Sequence, residues 1–264
     1  MNSLERTRIQ QVGYDHGWEV VVESTPDKVI LASALHHARA HIISFPGMRW
    51  ILTLAPRDLH RELERTVSDL YLSDEHYGAD NEAELGLLLN HASRLARTLP
   101  DEPCLRFTKA VAIELATNST TTLATEIERL VRQRVGQNIY RESLMEYWDD
   151  ACAVTNIAIP ELLRASHAKP WAECTSDAER LNVFNGFLLT AHLDALFDRH
   201  LMTFDDSGTA IFAPQISTGV RTQLGLSAEI KLRWLSSDHI PFLAYHRETF
   251  WRTAGNSQPS LLTS

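Results

Sequence analysis

Cysteine is scarce in this chain. Only Cys104, Cys152 and Cys174 occur in 264 residues, far apart and with no C-x-x-C pair. That argues against a disulfide framework or a structural zinc site, and a reducing cytoplasm is the expected compartment. Long apolar runs are missing too. Nothing approaches the ~20 residues that span a bilayer, and the opening MNSLERTRIQ lacks the apolar core of a signal peptide. There is no basic excess either: the net charge is −9, and acidic side chains outnumber basic ones in both halves of the chain. Any contact with nucleic acid must therefore come from a local patch rather than from bulk attraction. Internal repeats are absent.

The apolar content of 44% and charged content of 22% are those of an ordinary globular protein, and the length suits one large domain or two small ones. WEVVVES, KVILAS, ARAHIISF and RWILTLA, all within the first 55 residues, are rich in β-branched and aromatic side chains, and turn-like TPD and PG separate two of the pairs. They predict a small antiparallel sheet. From Pro56 the period changes: Leu59, Leu63, Val67 and Leu70 fall at helical spacing. Two more helices are expected over NEAELGLLLNHASRLARTL and CLRFTKAVAIELA. The polar stretch Thr117–Thr122 is the expected boundary, dividing an accessory domain, 1–120, from a second domain, 121–264. Beyond it, two consecutive helices broken near Gly136 are expected. CAVT and LLRAS then read as a hairpin, a helix is expected from about Phe187, and LMTFDDSGTAIFA reads as a second hairpin.

Candidate chemistry begins with Asp194 and Asp198 in LDALFD. On a helix they share one face, one turn apart, beside the apolar Leu193, Leu196 and Phe197. A hard cation between them would justify two adjacent like charges; taken alone, the pair reads better as two solvated surface acids. His167 shifts that balance. It follows a short strand-like run, so the backbone can fix its ring, and imidazole can accept a proton near neutral pH. His36, His37, His41 and His60 have no acidic or cysteine partners at metal-ligand spacing and receive no role. On a helix His192 points away from the two aspartates, which suits a surface or DNA-contact role. Lys169 and Arg164 flank His167 and are candidates to touch phosphate, with a solvated surface as the competing reading.

CAVTN, ASHAKPW, NGFLL and LDALFD occur in order, with VGQNIYRESL before them and FLAYHRE after. Together they resemble the HNH endonucleases, the ββα-metal nucleases, over roughly residues 130–252; residues 1–120 resemble nothing recognised. The resemblance implies an α+β protein in which an N-terminal antiparallel sheet with helices precedes a ββα-metal module with flanking helices. By position it makes His167 the general base and Asn185 the residue that holds the base-bearing loop, with Asp194 and Asp198 as ligands of one Mg²⁺ or Mn²⁺. Many members carry Asp or His just before the base, where this chain has Ser166.

The function so implied is metal-assisted phosphodiester hydrolysis in DNA, with restriction or phage defence as a setting. An HNH-shaped nucleic-acid-binding module with weak or lost catalysis is the alternative, and Ser166 would be its symptom. For residues 1–120 a specificity element and a dimerisation domain stay equally open, the latter with a homodimer as the expected assembly.

Overall fold

The computed structural model describes residues 1–45, 47–99, 101–117, 124–226 and 229–253. Two compact units divide the chain, Met1–Glu102 and Pro103–Ser264. The division falls near the start of a helix rather than in the polar stretch after Thr117, of which 118–122 lie outside the described residues. Among the described residues no helix is long and apolar enough to cross a membrane.

The first unit opens with a helix, α1 (Ser3–Asp15), capped by the Asn2 side chain on Glu5 N–H at 2.8 Å. The sequence does not announce it, because only Ile9 and Gly13 of α1 are buried and no apolar period shows. The four expected strands follow as β1 (Val20–Ser24), β2 (Lys28–Ala32), β3 (Arg39–Phe45) and β4 (Met48–Ala55). Next come α2 (Asp58–Thr66), β5 (Tyr71–Ser73), β6 (His76–Ala79) and α3 (Glu82–Thr98). The strands form one antiparallel sheet in the order β1-β2-β3-β4-β6-β5. Alternation sets its buried face: Val29 and Leu31, Ala40 and Ile42, and Trp50, Leu52 and Leu54 point inward. Leu85, Leu88, Leu89 and Ala92 of α3 are buried with them, and Trp18 donates its indole N–H to Leu89 O at 2.8 Å.

The second unit takes up α4 (Asp101–Thr117) from Pro103 and continues with α5 (Ala124–Tyr147). No break occurs at Gly136; α5 runs through it as one helix. A Cβ there would meet the Trp171 ring at 2.2 Å and Phe107 at 3.3 Å, so the glycine admits two aromatic rings and does not end the helix.

The expected hairpin of CAVT with LLRAS is not formed. Cys152–Thr155 is a turn, closed by Asn156 N–H on Cys152 O at 3.2 Å. The partner of β7 (Leu163–His167) is β8 (Gly186–Thr190), antiparallel, with Leu163 opposite Thr190 and His167 opposite Gly186. The helix expected from Phe187 is therefore a strand at its start. All five β8 residues are buried, so the run shows no alternation and reads equally well as a buried helix. The short helix α6 (Asp177–Leu181) lies in the excursion between the two strands, and α7 (Ala191–Asp198) follows β8 directly. The second hairpin forms as expected from β9 (Met202–Phe204) and β10 (Ala210–Phe212). The helices α8 (Thr218–Gln223) and α9 (Ile240–Thr253) complete an α+β fold whose ββα arrangement is β7, β8 and α7.

Candidate active site

His167 ends β7 with its backbone paired to Gly186. That pairing is close: a Cβ at position 186 would lie 1.9 Å from Ser166 O and 2.4 Å from the Tyr140 hydroxyl. Only glycine lets β8 approach there. The His167 ring stacks on Tyr140 at 3.8 Å and meets Trp171 edge-on at 5.9 Å. Its Nε2 is bonded to Arg180 O at 2.9 Å. A carbonyl only accepts, so Nε2 carries the hydrogen and Nδ1 of the neutral ring holds the lone pair. Burial pushes the imidazole pKa down to about 4, against the Arg180 hydrogen bond and the negative charge of Asp198, which favour the protonated form. At neutral pH the ring is a free base pointed by a stack and a hydrogen bond.

Asn185 is fully buried and fixes the loop after His167. Its Oδ1 accepts from Lys169 N–H at 2.8 Å, and its Nδ2 donates to Lys169 O at 3.2 Å and Glu179 O at 3.1 Å, with Cys174 Sγ at 3.4 Å. Its carbonyl accepts from Ala168 N–H at 3.0 Å and from the Tyr140 hydroxyl at 2.9 Å. Burial holds the Tyr140 phenol well above its ordinary pKa and raises that of the Cys174 thiol, so Tyr140 remains a donor.

Asp194 and Asp198 stand one turn apart on α7, Asp194 half-buried and Asp198 exposed. Ser166, 3% exposed, donates its hydroxyl to Asp194 Oδ1. The serine that stands where a ligand was expected thus orients a carboxylate. Among the described residues no group of three His, Cys, Asp or Glu side chains is placed to hold a metal. Two carboxylates on one helical face fit a hard, oxygen-preferring ion that keeps several waters. They do not fit zinc, which takes four ligands rich in nitrogen and sulfur.

Of the candidate phosphate contacts, Arg164 and His192 are exposed and Lys169 is engaged within the loop. Lys169 is committed to Glu179 at 2.6 Å, and Glu179 also accepts from Thr175 N–H at 2.6 Å, so this ammonium braces the loop. Arg164 is exposed and donates to Glu161 O at 2.9 Å and Leu163 O at 2.8 Å. His192 lies exposed on the first turn of α7.

Sequence reasoning missed the roles of Tyr140, Arg141, Cys174, Glu179 and Arg180. A signal was present for two of them, since VGQNIYRESL contains Tyr140 and Arg141. Arg141 donates to Leu163 O at 2.7 Å and Pro160 O at 2.8 Å, which ties α5 to the start of β7. In FLAYHRE, His246 bonds Thr203 Oγ1 and Phe197 O, each at 2.9 Å, and stacks on the Phe197 ring at 3.8 Å. That motif joins α9 to α7 and β9.

Among curated proteins none matches the chain. A family model described as HNH endonuclease matches residues 152–205, from the Cys152 turn through β7, β8 and α7 to just past β9. The likeness to HNH endonucleases lies in this segment, which holds the strand pair, the buried asparagine and the two-aspartate helix.

Proposed function

We propose that the chain is a metal-dependent endonuclease that hydrolyses phosphodiester bonds in DNA. The observation that carries this reading is His167: a neutral imidazole with Nε2 bound to Arg180 O and its free Nδ1 in the field of Asp198. In that reading Nδ1 takes the proton of the water that attacks phosphorus. Tyr140 and the Asn185 network hold the ring and its loop, so little reorganisation accompanies the proton transfer. Asp194 and Asp198 would hold the ion, with Ser166 fixing one Asp194 oxygen. A divalent cation there, Mg²⁺ or Mn²⁺, supplies positive charge for the phosphoryl and leaving oxygens.

The inactive-module alternative depends on Ser166 being a lost ligand. Its hydrogen bond to Asp194 gives that serine a part in an intact site and favours the catalytic reading.

The test is plasmid cleavage by the full chain in Mg²⁺ or Mn²⁺, with and without chelator. Cleavage should require the ion, and His167→Ala should lower the single-turnover rate by at least ~100-fold. Full activity in that variant, with the fold retained by circular dichroism, would remove His167 as the base.

A further inference from the structure

An acidic chain that cuts DNA needs a local cationic surface, and most cations of the second unit are already committed. Lys169 is paired with Glu179, Arg132 and Arg180 with Asp177, Arg106 with Glu142, Arg134 with Glu114, and Arg247 with Asp206. Arg141, Arg164 and Arg233 donate to backbone carbonyls. Arg199 and Arg252 differ. Both are exposed and neither makes an ion pair among the described residues, Glu248 one turn from Arg252 included.

Their position is specific. Arg199 caps the C-terminus of α7, immediately after Asp198. The next residue, His200, stacks on His246 of α9 at 4.5 Å, so α9 runs beside the end of α7. On α9, Tyr245, Thr249 and Arg252 lie at i, i+4 and i+7 and share one stripe. One end of that stripe meets the loop after the base: the Tyr245 hydroxyl bonds Glu173, and Lys169 Nζ stands 5.4 Å from the Tyr245 ring centroid. Arg252, held by the Thr249 hydroxyl at 3.0 Å, lies toward the other end.

We propose that Arg199 and Arg252 grip the DNA backbone beside the scissile phosphate, with the Tyr245–Arg252 stripe of α9 as the wall along which that backbone runs. This rests on the nuclease reading above and adds the surface that holds the substrate. Two guanidiniums at the Asp198 edge meet phosphates that an exposed carboxylate alone would repel.

The experiment uses the full chain and a fluorescein-labelled DNA duplex, with affinity measured by anisotropy across a salt series in chelator and cleavage followed separately in Mg²⁺. For Arg199→Ala/Arg252→Ala the plot of log affinity against log salt should become shallower by about 1.8, because two phosphates are no longer neutralised. KM should rise about ten-fold with kcat nearly kept, since these groups bind ground state and transition state alike. Arg199→Lys/Arg252→Lys should restore most of the salt slope. As a control, Lys109→Ala/Arg129→Ala makes the same charge change on α4 and α5 and should leave slope and KM unchanged. An unchanged slope in the alanine pair, or an equal loss in the control, overturns the assignment while leaving the nuclease reading intact. If the wild-type chain neither binds nor cuts DNA, both fall.

Discussion

The two halves of the candidate site are built by opposite means. The base half is buried and fixed many times over: His167 is stacked, hydrogen-bonded and closed in by a loop that Asn185 holds at both ends. The carboxylate half sits on a helix of eight residues, with Asp198 exposed and Asp194 anchored by the Ser166 hydroxyl. A group that must present one lone pair in one direction gains from rigidity. Ligands of a hydrated cation can adjust, because waters and substrate oxygens complete the shell. Substitutions in the first half should therefore disturb fold and activity together, and those in the second should disturb metal dependence alone.

The largest expected effect is at Asn185. Asn185→Ala removes the side-chain bonds to Lys169 N–H, Lys169 O and Glu179 O in a fully buried place. Each buried group left without a partner costs about 1–3 kcal/mol, so a loss of about 3 kcal/mol or more is expected. Asn185→Asp should be no better despite its matching shape, because it sets a carboxylate oxygen against two backbone carbonyls. Urea denaturation measures both. A stability change below about 1 kcal/mol in either variant would break the contrast between the halves.

Acid should separate the halves from each other less than it separates the folded chain from the unfolded one. Burial lowers the pKa of His167 to about 4, and that of His246, which props α7 through Phe197, to about 3. In the first unit burial likewise brings His36 to about 4. An unfolded histidine titrates near ~6.5. Since the folded values lie below that, the unfolded chain binds protons first, and stability present above pH ~6.5 is lost as pH falls toward about 4. Between pH ~6.5 and about 4.5 linkage gives up to about 3 kcal/mol for each of these histidines. Thermal melts between about pH 7 and about pH 4.5 should show the decline, and His246→Gln should flatten it in part. A melting temperature independent of pH across that range would contradict the buried, neutral state of these rings.

What could be read from the sequence follows the same division. Asp194 and Asp198 are four apart, and helical geometry alone places them on one face. The strands β1–β4 could be read because β-branched runs and turns lie next to one another in the chain. The β7–β8 pairing could not. Its partners are separated by the excursion holding α6, and CAVT, nearer in sequence, was an equally apolar candidate. Tyr140 is likewise far in sequence from the ring it supports, and nothing local marks a tyrosine as a stacking platform. Ser166 looked like a missing ligand because its partner, Asp194, lies 28 residues on.

Within the carboxylate half, Asp194→Asn should raise the Mg²⁺ concentration needed for half-maximal cleavage more than Asp198→Asn does. Asp194 is the half-buried, oriented member and Asp198 the solvated one. Titration of cleavage rate against Mg²⁺ decides it, and Mn²⁺ should rescue both in part. Equal shifts would mean that the Ser166 hydrogen bond confers no advantage on Asp194.

The smallest expected effect is that of Ser166 itself. Ser166→Ala leaves both carboxylates and the β7–β8 register in place and removes only the hydroxyl that Asp194 Oδ1 accepts. Asp194 then gains rotamer freedom and loses one charge-assisted hydrogen bond, worth about 1.5–3 kcal/mol when fully desolvated and less at a half-buried site. Part of that loss is returned when the freed oxygen turns to the ion. A rise of a few-fold in the Mg²⁺ requirement is expected, with the rate at saturating metal close to wild type. Ser166→Asp should do worse than Ser166→Ala, since a buried carboxylate at position 166 would face Asp194 across the distance the hydroxyl now bridges. If Ser166→Asp instead tightens metal binding in calorimetry, position 166 is a ligand site and the serine is a true loss. If it weakens binding or destabilises the fold, the serine serves to aim Asp194.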